Sequence, residues 1–345
     1  MESKAQTDRN IGNRVCAVIS GCEYFEDIAD FCRVKCEWFR EKLGLELVHG
    51  TASHDTYERV FGMIEPKEFE RCFAKWVRSI RKKTKDEIVS IDGKTLCGSG
   101  DEHTAIEMVS AWSSANQLVL GQVKVSDESN EIKAVPELLE ILSLKGCIVT
   151  LDAMGCQKEI SEKITAKKAD YVLALKKNHE NLYDDVKFYF ENEPIRKSTI
   201  TQNKGHGRVE KREYNLATNL DWLYGRSEWS NLNAIGMVKS TVSEKGKIRE
   251  ETRYFITSLM SVDLFSKAIR AHWGIESMHW CLDVVFHEDD CQVRDSNIAE
   301  NFAVIRHIAL NILKNYPIKM SFARKRRKCQ YDADFMADVL ISAFS

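Results

Sequence analysis

The sequence predicts an α/β fold: a mixed sheet with flanking helices, carrying a β-rich insertion and preceded by an N-terminal helical domain. Three observations lead there. The first 85 residues show helical periodicity with capping signals and no strand pattern. From Asp86 onward, short β-branched runs come first as a block of three and then alternate with helical segments, the order of a meander feeding parallel βαβ units. Between 194 and 258 a period of two takes over, and helix returns at Val262.

Composition bounds the rest. With 345 residues, 43% of them hydrophobic, and only four prolines, the chain has enough apolar side chains for one large or two medium domains with a core. No apolar run approaches a membrane span, and Met1-Glu2-Ser3-Lys4 is polar, so a cytoplasmic protein with no membrane partner is expected. The eleven cysteines form no Cys-x-x-Cys pair, which favours reduced thiols over disulfides or a structural zinc. Net charge is −2, yet basic residues cluster at 75–85 and at 319–328, where Lys319, Arg324, Lys325, Arg326, Arg327 and Lys328 stand without an acid. Local basic patches on a near-neutral chain suit a polyanion held at defined places; solvated helix faces are the plainer alternative.

The elements follow in order. Residues 14–47 carry helical spacing through Val15, Val18, Ile28, Phe31, Phe39 and Leu43. The segment 51–55 gives a capping signal ahead of Tyr57, Val60 and Phe61, and Pro66 opens a helix through Phe69, Phe73 and Ile80. Residues 1–85 are therefore expected as the helical domain, its two short helices packing or reading DNA. Strands are expected at 87–94, 105–111 and 117–125, a helix at 131–142, a strand at 147–151, a helix through Ile160 and Ile164, a strand at 171–175 and a helix at 178–190. This order, within a catalytic domain of 86–345, is that of an RNase H-like core, although other mixed sheets share it.

The insertion, about 194–258, alternates at 208–216, 234–240 and 252–259, and its start, 204–212, reads as a flexible basic loop. After Val262, the residues Leu264, Ala268, Ala271, Ile275, Met278, Leu282 and Val285 form an apolar helical stripe, which places Glu276 at the margin of a buried face. Gly274 in mid-helix costs about 1 kcal/mol relative to alanine, so something is expected to approach the backbone there. A second apolar helix, 302–313, the basic run and a short terminal helix complete the chain.

The chemistry rests on three acids. Val149-Thr150-Leu151-Asp152 and Ser90-Ile91-Asp92 both read as buried strands that end in a carboxylate, and Glu276 can converge on them. Packed carboxylates repel unless cations neutralise them, and hard oxygen donors select Mg²⁺ or Mn²⁺. Two such ions roughly 3.5–4 Å apart activate a water or 3′-hydroxyl and stabilise the leaving oxygen of an in-line phosphoryl displacement. Each acid alone is more safely a cap or a lysine partner. Glu288, Asp289 and Asp290 are alternatives to Glu276, and His272, His279 and Asp283 could supply at most part of a zinc site. No P-loop and no Gly-x-Ser-x-Gly turn is present.

Ser90-Ile91-Asp92-Gly93-Lys94-Thr95, Thr150-Leu151-Asp152-Ala153-Met154-Gly155-Cys156-Gln157 and His272-Trp273-Gly274-Ile275-Glu276 resemble the H-repeat-associated (Rhs-linked) branch of bacterial insertion-sequence DDE transposases. So do Leu282-Asp283-Val284-Val285-Phe286 and 300–307, while Gly21-Cys22-Glu23, Glu37-Trp38 and 53–56 resemble the helical domain associated with that core. The resemblance implies an RNase H-like catalytic domain with Asp92, Asp152 and Glu276 as the triad for two Mg²⁺ (or Mn²⁺) ions. The implied activity is cutting at element ends and joining the freed 3′-hydroxyl to target DNA. It also implies DNA as partner, both terminal inverted repeats and target, and a homodimer or larger assembly. DNA contacts are expected from Lys94, His206, Arg208 and His272, and from Arg324, Lys325, Arg326, Arg327 and Lys328. Related families carry Tyr-x2-Arg-x3-Glu-x6-Lys around the glutamate; here those positions read Ile269, His272, Glu276 and Asp283. His272 is left to take the arginine's DNA-contacting role, and Asp283 cannot take the lysine's. Residues 1–13 differ from the longer lead-in of family members, so a truncated relic that only binds DNA is one alternative, and a nuclease that cuts without joining is another.

Overall fold

A computed structural model describes residues 4–97, 105–125, 131–194, 197–205 and 207–344, without the side chains of 4–11, 131 and 344. Five helices come first: α1 (Lys4–Ile19), α2 (Phe25–Val34), α3 (Cys36–Leu43), α4 (His54–Met63) and α5 (Pro66–Ile80). The capping signals hold: Ser53 Oγ accepts from the Thr56 N–H at 3.4 Å, and Pro66 occupies the first turn of α5. Strands β1 (Glu87–Leu96), β2 (Ile106–Ser113) and β3 (Leu118–Lys124) precede α6 (Glu131–Ile141), β4 (Cys147–Leu151), α7 (Lys158–Ala166), β5 (Asp170–Leu175) and α8 (Glu180–Asn192). Then come β6 (Lys197–Gly205), β7 (Arg208–Ala217), β8 (Ala234–Glu244), β9 (Lys247–Thr257), α9 (Val262–Phe286), α10 (Ser296–Asn315), α11 (Phe322–Tyr331) and α12 (Ala333–Phe344). The mixed α/β architecture with N-terminal helices is thus as expected, consistent with an RNase H-like domain.

Among the described residues, nine strands form one sheet, ordered β3-β2-β1-β4-β5-β9-β8-β7-β6. Strands β1, β4 and β5 run parallel, and the rest pair antiparallel. Residues 194–258 are expected as an insertion into the core. Instead they widen the same sheet, because β9 pairs with β5 through Leu173↔Ile256 and carries β8, β7 and β6 outward. The expected flexible loop at 204–212 is likewise corrected: Lys204 and Gly205 close β6, and Arg208–Arg212 open β7, paired along its length. Since β9 runs antiparallel to β5 and Leu175 pairs with Tyr254, residues 247–253 extend past the C-terminal ends of β4 and β5.

One apolar cluster runs from α1 through the sheet to α12, uniting Ile28, Phe61, Phe73, Val149, Ile275, Phe302 and Met336. The N-terminal helices therefore share their core with the sheet. A second cluster lies where the first half of α9 crosses the widened sheet, with Phe265 against Phe255 and Gly236. All eleven cysteines are free thiols, and among the described residues no helix is long and apolar enough to cross a membrane.

Candidate active site

Ile91 pairs with Leu151 across the parallel strands β1 and β4, so Asp92 and Asp152 occupy the next position on each. Asp152 sits at a strand tip, as expected. Its Oδ1 accepts the backbone N–H of Met154 (3.0 Å) and of Gly155 (3.3 Å), a turn that fixes the carboxylate ahead of α7. Asp92 does not sit at a tip. β1 continues to Leu96 because β2 still pairs with it, Asp92 opposite Ser110 and Gly93 opposite Val109. Only the pairing to β4 stops there, and that opens the β4 side of Asp92.

Glu276 comes from α9, whose buried stripe is Phe265, Ala268, Ile275, Met278, Leu282 and Phe286. It lies next to Ile275, on the exposed side of that margin. The helix is seated on the sheet by polar contacts as well. Ser114 Oγ donates to the Ala271 carbonyl at 3.1 Å, and Thr150 Oγ1 lies 2.8 Å from His272 Nδ1. The approach expected at Gly274 comes from the sheet: a Cβ there would stand 3.0 Å from Trp112 Nε1 and 3.2 Å from Ser114 Oγ.

The three acids share one electrostatic field. The Asp92 carboxyl is pushed up to about 6, first by burial and then by the charges of Asp152 and Glu276, against a hydrogen bond from the Gly93 N–H. Among the described residues no three His, Cys, Asp or Glu side chains stand close enough to hold a metal ion as placed. The donors nonetheless fit one chemically, since unneutralised hard carboxylate oxygens are what a divalent cation relieves.

Behind Asp92 lies a buried ion cluster that sequence reasoning did not foresee. Lys94, on the same face of β1, is bound by Asp283 of α9 and by Glu288 at 2.6 Å, with Asp289 at 3.6 Å. Glu288 is 2% exposed and lies 4.0 Å from Arg306 of α10. Burial alone would push the Glu288 carboxyl up, but Lys94, Arg306 and His307 together hold it below its ordinary range. His279 brings Nδ1 to 3.8 Å from Asp92 Oδ2, and burial, aided by Lys94, pushes its imidazole down to about 4. A signal was available: Lys94 follows Asp92 by two residues, and 288–290 is a run of three acids after a helical stripe.

The residues expected to contact DNA divide by exposure. Arg208, Arg324 and Arg327 are exposed, and Lys328 is half-buried, 3.5 Å from Asp332. Lys94 points inward into its acids. Lys325 donates to the Leu313 and Tyr316 carbonyls, and Arg326 donates to the Val18 carbonyl while lying over the Phe286 ring. The expectation of a phosphate contact is corrected for Lys94 by its three acids, and for Lys325 and Arg326 because α11 buries one side of its basic run to hold α1, α9 and α10. His272 is half-buried, and burial lowers its pKa from the ordinary imidazole value. His206 lies outside the described residues. Arg208 joins Arg212, Lys247, Arg249 and Arg253, interleaved with Glu210, Glu244, Glu250 and Glu251, around a cleft of about 450 Å³ that includes the exposed Trp273 of α9, three residues before Glu276.

Two family models match the chain: a transposase DDE domain over residues 83–312, and a DDE_Tnp_1-associated domain over 12–77. Among similar proteins, the "H repeat-associated putative transposase YhhI" of Escherichia coli (strain K12) is 41% identical over 341 residues, spanning 94% of this chain and 90% of that protein. The "Putative transposase YncI" of Escherichia coli O157:H7 is 40% identical over 346 residues, spanning 95% of this chain and 87% of that protein.

Proposed function

The chain belongs to the DDE transposase family, and from that premise we propose that it cuts DNA at the ends of an insertion-sequence element and joins the freed 3′-hydroxyl to target DNA. The observation that carries this reading is the register that sets Asp92 beside Asp152 where the β1–β4 pairing ends, a place where burial and then the charges of Asp152 and Glu276 push the Asp92 carboxyl up. Clustered acids without a cation are costly to ionise together, and a divalent ion would relieve that cost.

Asp92, Asp152 and Glu276 are the residues that would hold Mg²⁺ or Mn²⁺, two ions being the expected number. Bound there, the ions would neutralise the acids and lower the pKa of an attacking water or 3′-hydroxyl. The chain's own contribution is positional. The Met154 and Gly155 amides orient Asp152, and the Lys94 cluster ties β1 to the far end of α9. The neutral His272, held by Thr150, anchors α9 beside β4. The cleft from Arg208 to Arg253, lined by six basic and four acidic side chains, lies on the strand extension that passes the catalytic end, where its excess of bases would suit a DNA backbone. Chromosomal DNA as substrate places the protein in the cytoplasm.

The test is strand cleavage and joining on DNA carrying the element's ends, with Mg²⁺ or Mn²⁺ supplied. Wild type should yield joined strands, and Asp152→Asn should yield none while keeping its fold and salt-dependent DNA binding. Nicks that never become joined strands would reduce the assignment to a nuclease. Binding with no metal-dependent product would reduce it to a relic.

A further inference from the structure

The two edges of the nine-stranded sheet are treated differently. At the β3 edge, Asn311 of α10 bonds both main-chain groups of Val119, its Oδ1 accepting from the N–H and its Nδ2 donating to the carbonyl, each at 2.9 Å. Glu70 of α5 accepts the Gln122 N–H at 2.9 Å. That edge is closed by side chains from two helices. At the β6 edge, among the described residues, only β7 hydrogen-bonds to the main chain of Ser198–Asn203. Unpaired edges are templates for another strand, and proteins usually blunt them with charge, proline or a bulge. Ser198-Thr199-Ile200-Thr201-Gln202-Asn203 has none of these, and Ile200 is 56% exposed.

We propose that β6 pairs antiparallel with β6 of a second copy of this chain, joining two sheets across a twofold axis at Thr201. This register uses all nine residues, setting Lys197 opposite Gly205 of the other copy and Ser198 opposite Lys204. Thr199 then faces Asn203, Ile200 faces Gln202, and Thr201 faces itself. No like charges meet, and each pair recurs on the other side of the axis, as an isologous interface requires. The segment contains no acid, so its two lysines, at the ends of the strand, fall beside small residues rather than each other. Apolar area lies close by: Lys197 borders a cleft with the exposed Phe188 and Trp222, one such cleft at each end of the paired strands.

The experiment compares the full chain with two double variants, Ile200→Lys with Gln202→Lys and Ile200→Glu with Gln202→Glu. Both sites are exposed, so the fold should hold, with melting curves as the check. Sedimentation equilibrium without DNA should show a wild-type dimer and, for each variant alone, a dissociation constant weakened about tenfold or more by like charges face to face. Mixing the two variants should restore the dimer, because every repelling pair becomes an attracting one. A monomeric wild type, a dimer indifferent to the charges, or a mixture that stays dissociated would overturn the pairing. Variants that change DNA affinity but not assembly would assign the edge to nucleic acid instead. Measured without DNA or metal, the result is independent of the strand-transfer reading.

Discussion

At the residue scale, two ionisable side chains largely withdrawn from water carry the sharpest consequences. Lys94 is 10% exposed and has three acids around it. Lys94→Met would leave Asp283 without its cation and Glu288 with only Arg306 at 4.0 Å, and should destabilise the chain by about 3–5 kcal/mol, read from the denaturant midpoint. A lysine on phosphate would behave otherwise: the variant would fold normally and lose about one unit of the salt slope of DNA binding. Glu70 is the second. Burial pushes its carboxyl up to about 8, against the hydrogen bond from the Gln122 N–H. Below about pH 4.5 both folded and unfolded chains hold this proton. As pH rises from there to about 8 the unfolded chain releases it and the folded chain keeps it, so stability falls across that window and then levels. Glu70→Gln keeps the acceptor for Gln122 and should remove this fall, on the order of a few kcal/mol, from the pH profile of chemical unfolding.

At the scale of the element, α9 matters most. It carries Glu276 while crossing the sheet, and its distance from β2 is set at Gly274 by Trp112, whose ring is fully buried and cannot turn aside. In Gly274→Ala, a gain of about 1 kcal/mol in helix propensity opposes the contact with Trp112. Stability should change little. Strand cleavage should drop at least several-fold, because a shift of a few tenths of an ångström carries Glu276 with the helix and catalytic placement tolerates little. Equal activity in alanine and wild type would mean that the helix seat does not set the site. Period and spacing predicted α9 from its first residue, yet placed Leu264 and Val285 in the stripe where Phe265 and Phe286 are the buried ones. Spacing fixes a helix face only to within about one residue, and Glu276, next to the buried Ile275, is exposed.

For the whole molecule, the expected boundary at 85/86 separates helices from sheet in sequence but not in packing. α1, α4 and α5 lie on α10, and α5 covers β3. Asn301 of α10 also donates to the Phe61 and Ile64 carbonyls. We expect residues 86–345, made alone, to expose this shared apolar face and to fail as a soluble, cooperatively folding protein. Adding residues 1–85 as a separate chain should restore cooperative melting. A sharp transition for 86–345 alone would show that the helical module is independent.

Local signals in the sequence determined the element order through α8, the caps at Ser53 and Pro66, the strand that delivers Asp152 and the long helix from Val262. Each depends on neighbours within a few turns or strand positions, which periodicity and capping chemistry report directly. Tertiary structure alone decided how far β1 runs past Asp92, that 194–258 widens the sheet, and that Lys94, Lys325 and Arg326 face inward. Those outcomes depend on partners distant in sequence: β2 beside Asp92, β5 beside β9, Asp283 and Glu288 around Lys94. A basic residue looks the same in sequence whether it meets water, a phosphate or a buried carboxylate, and only the partner brought up by the fold distinguishes them.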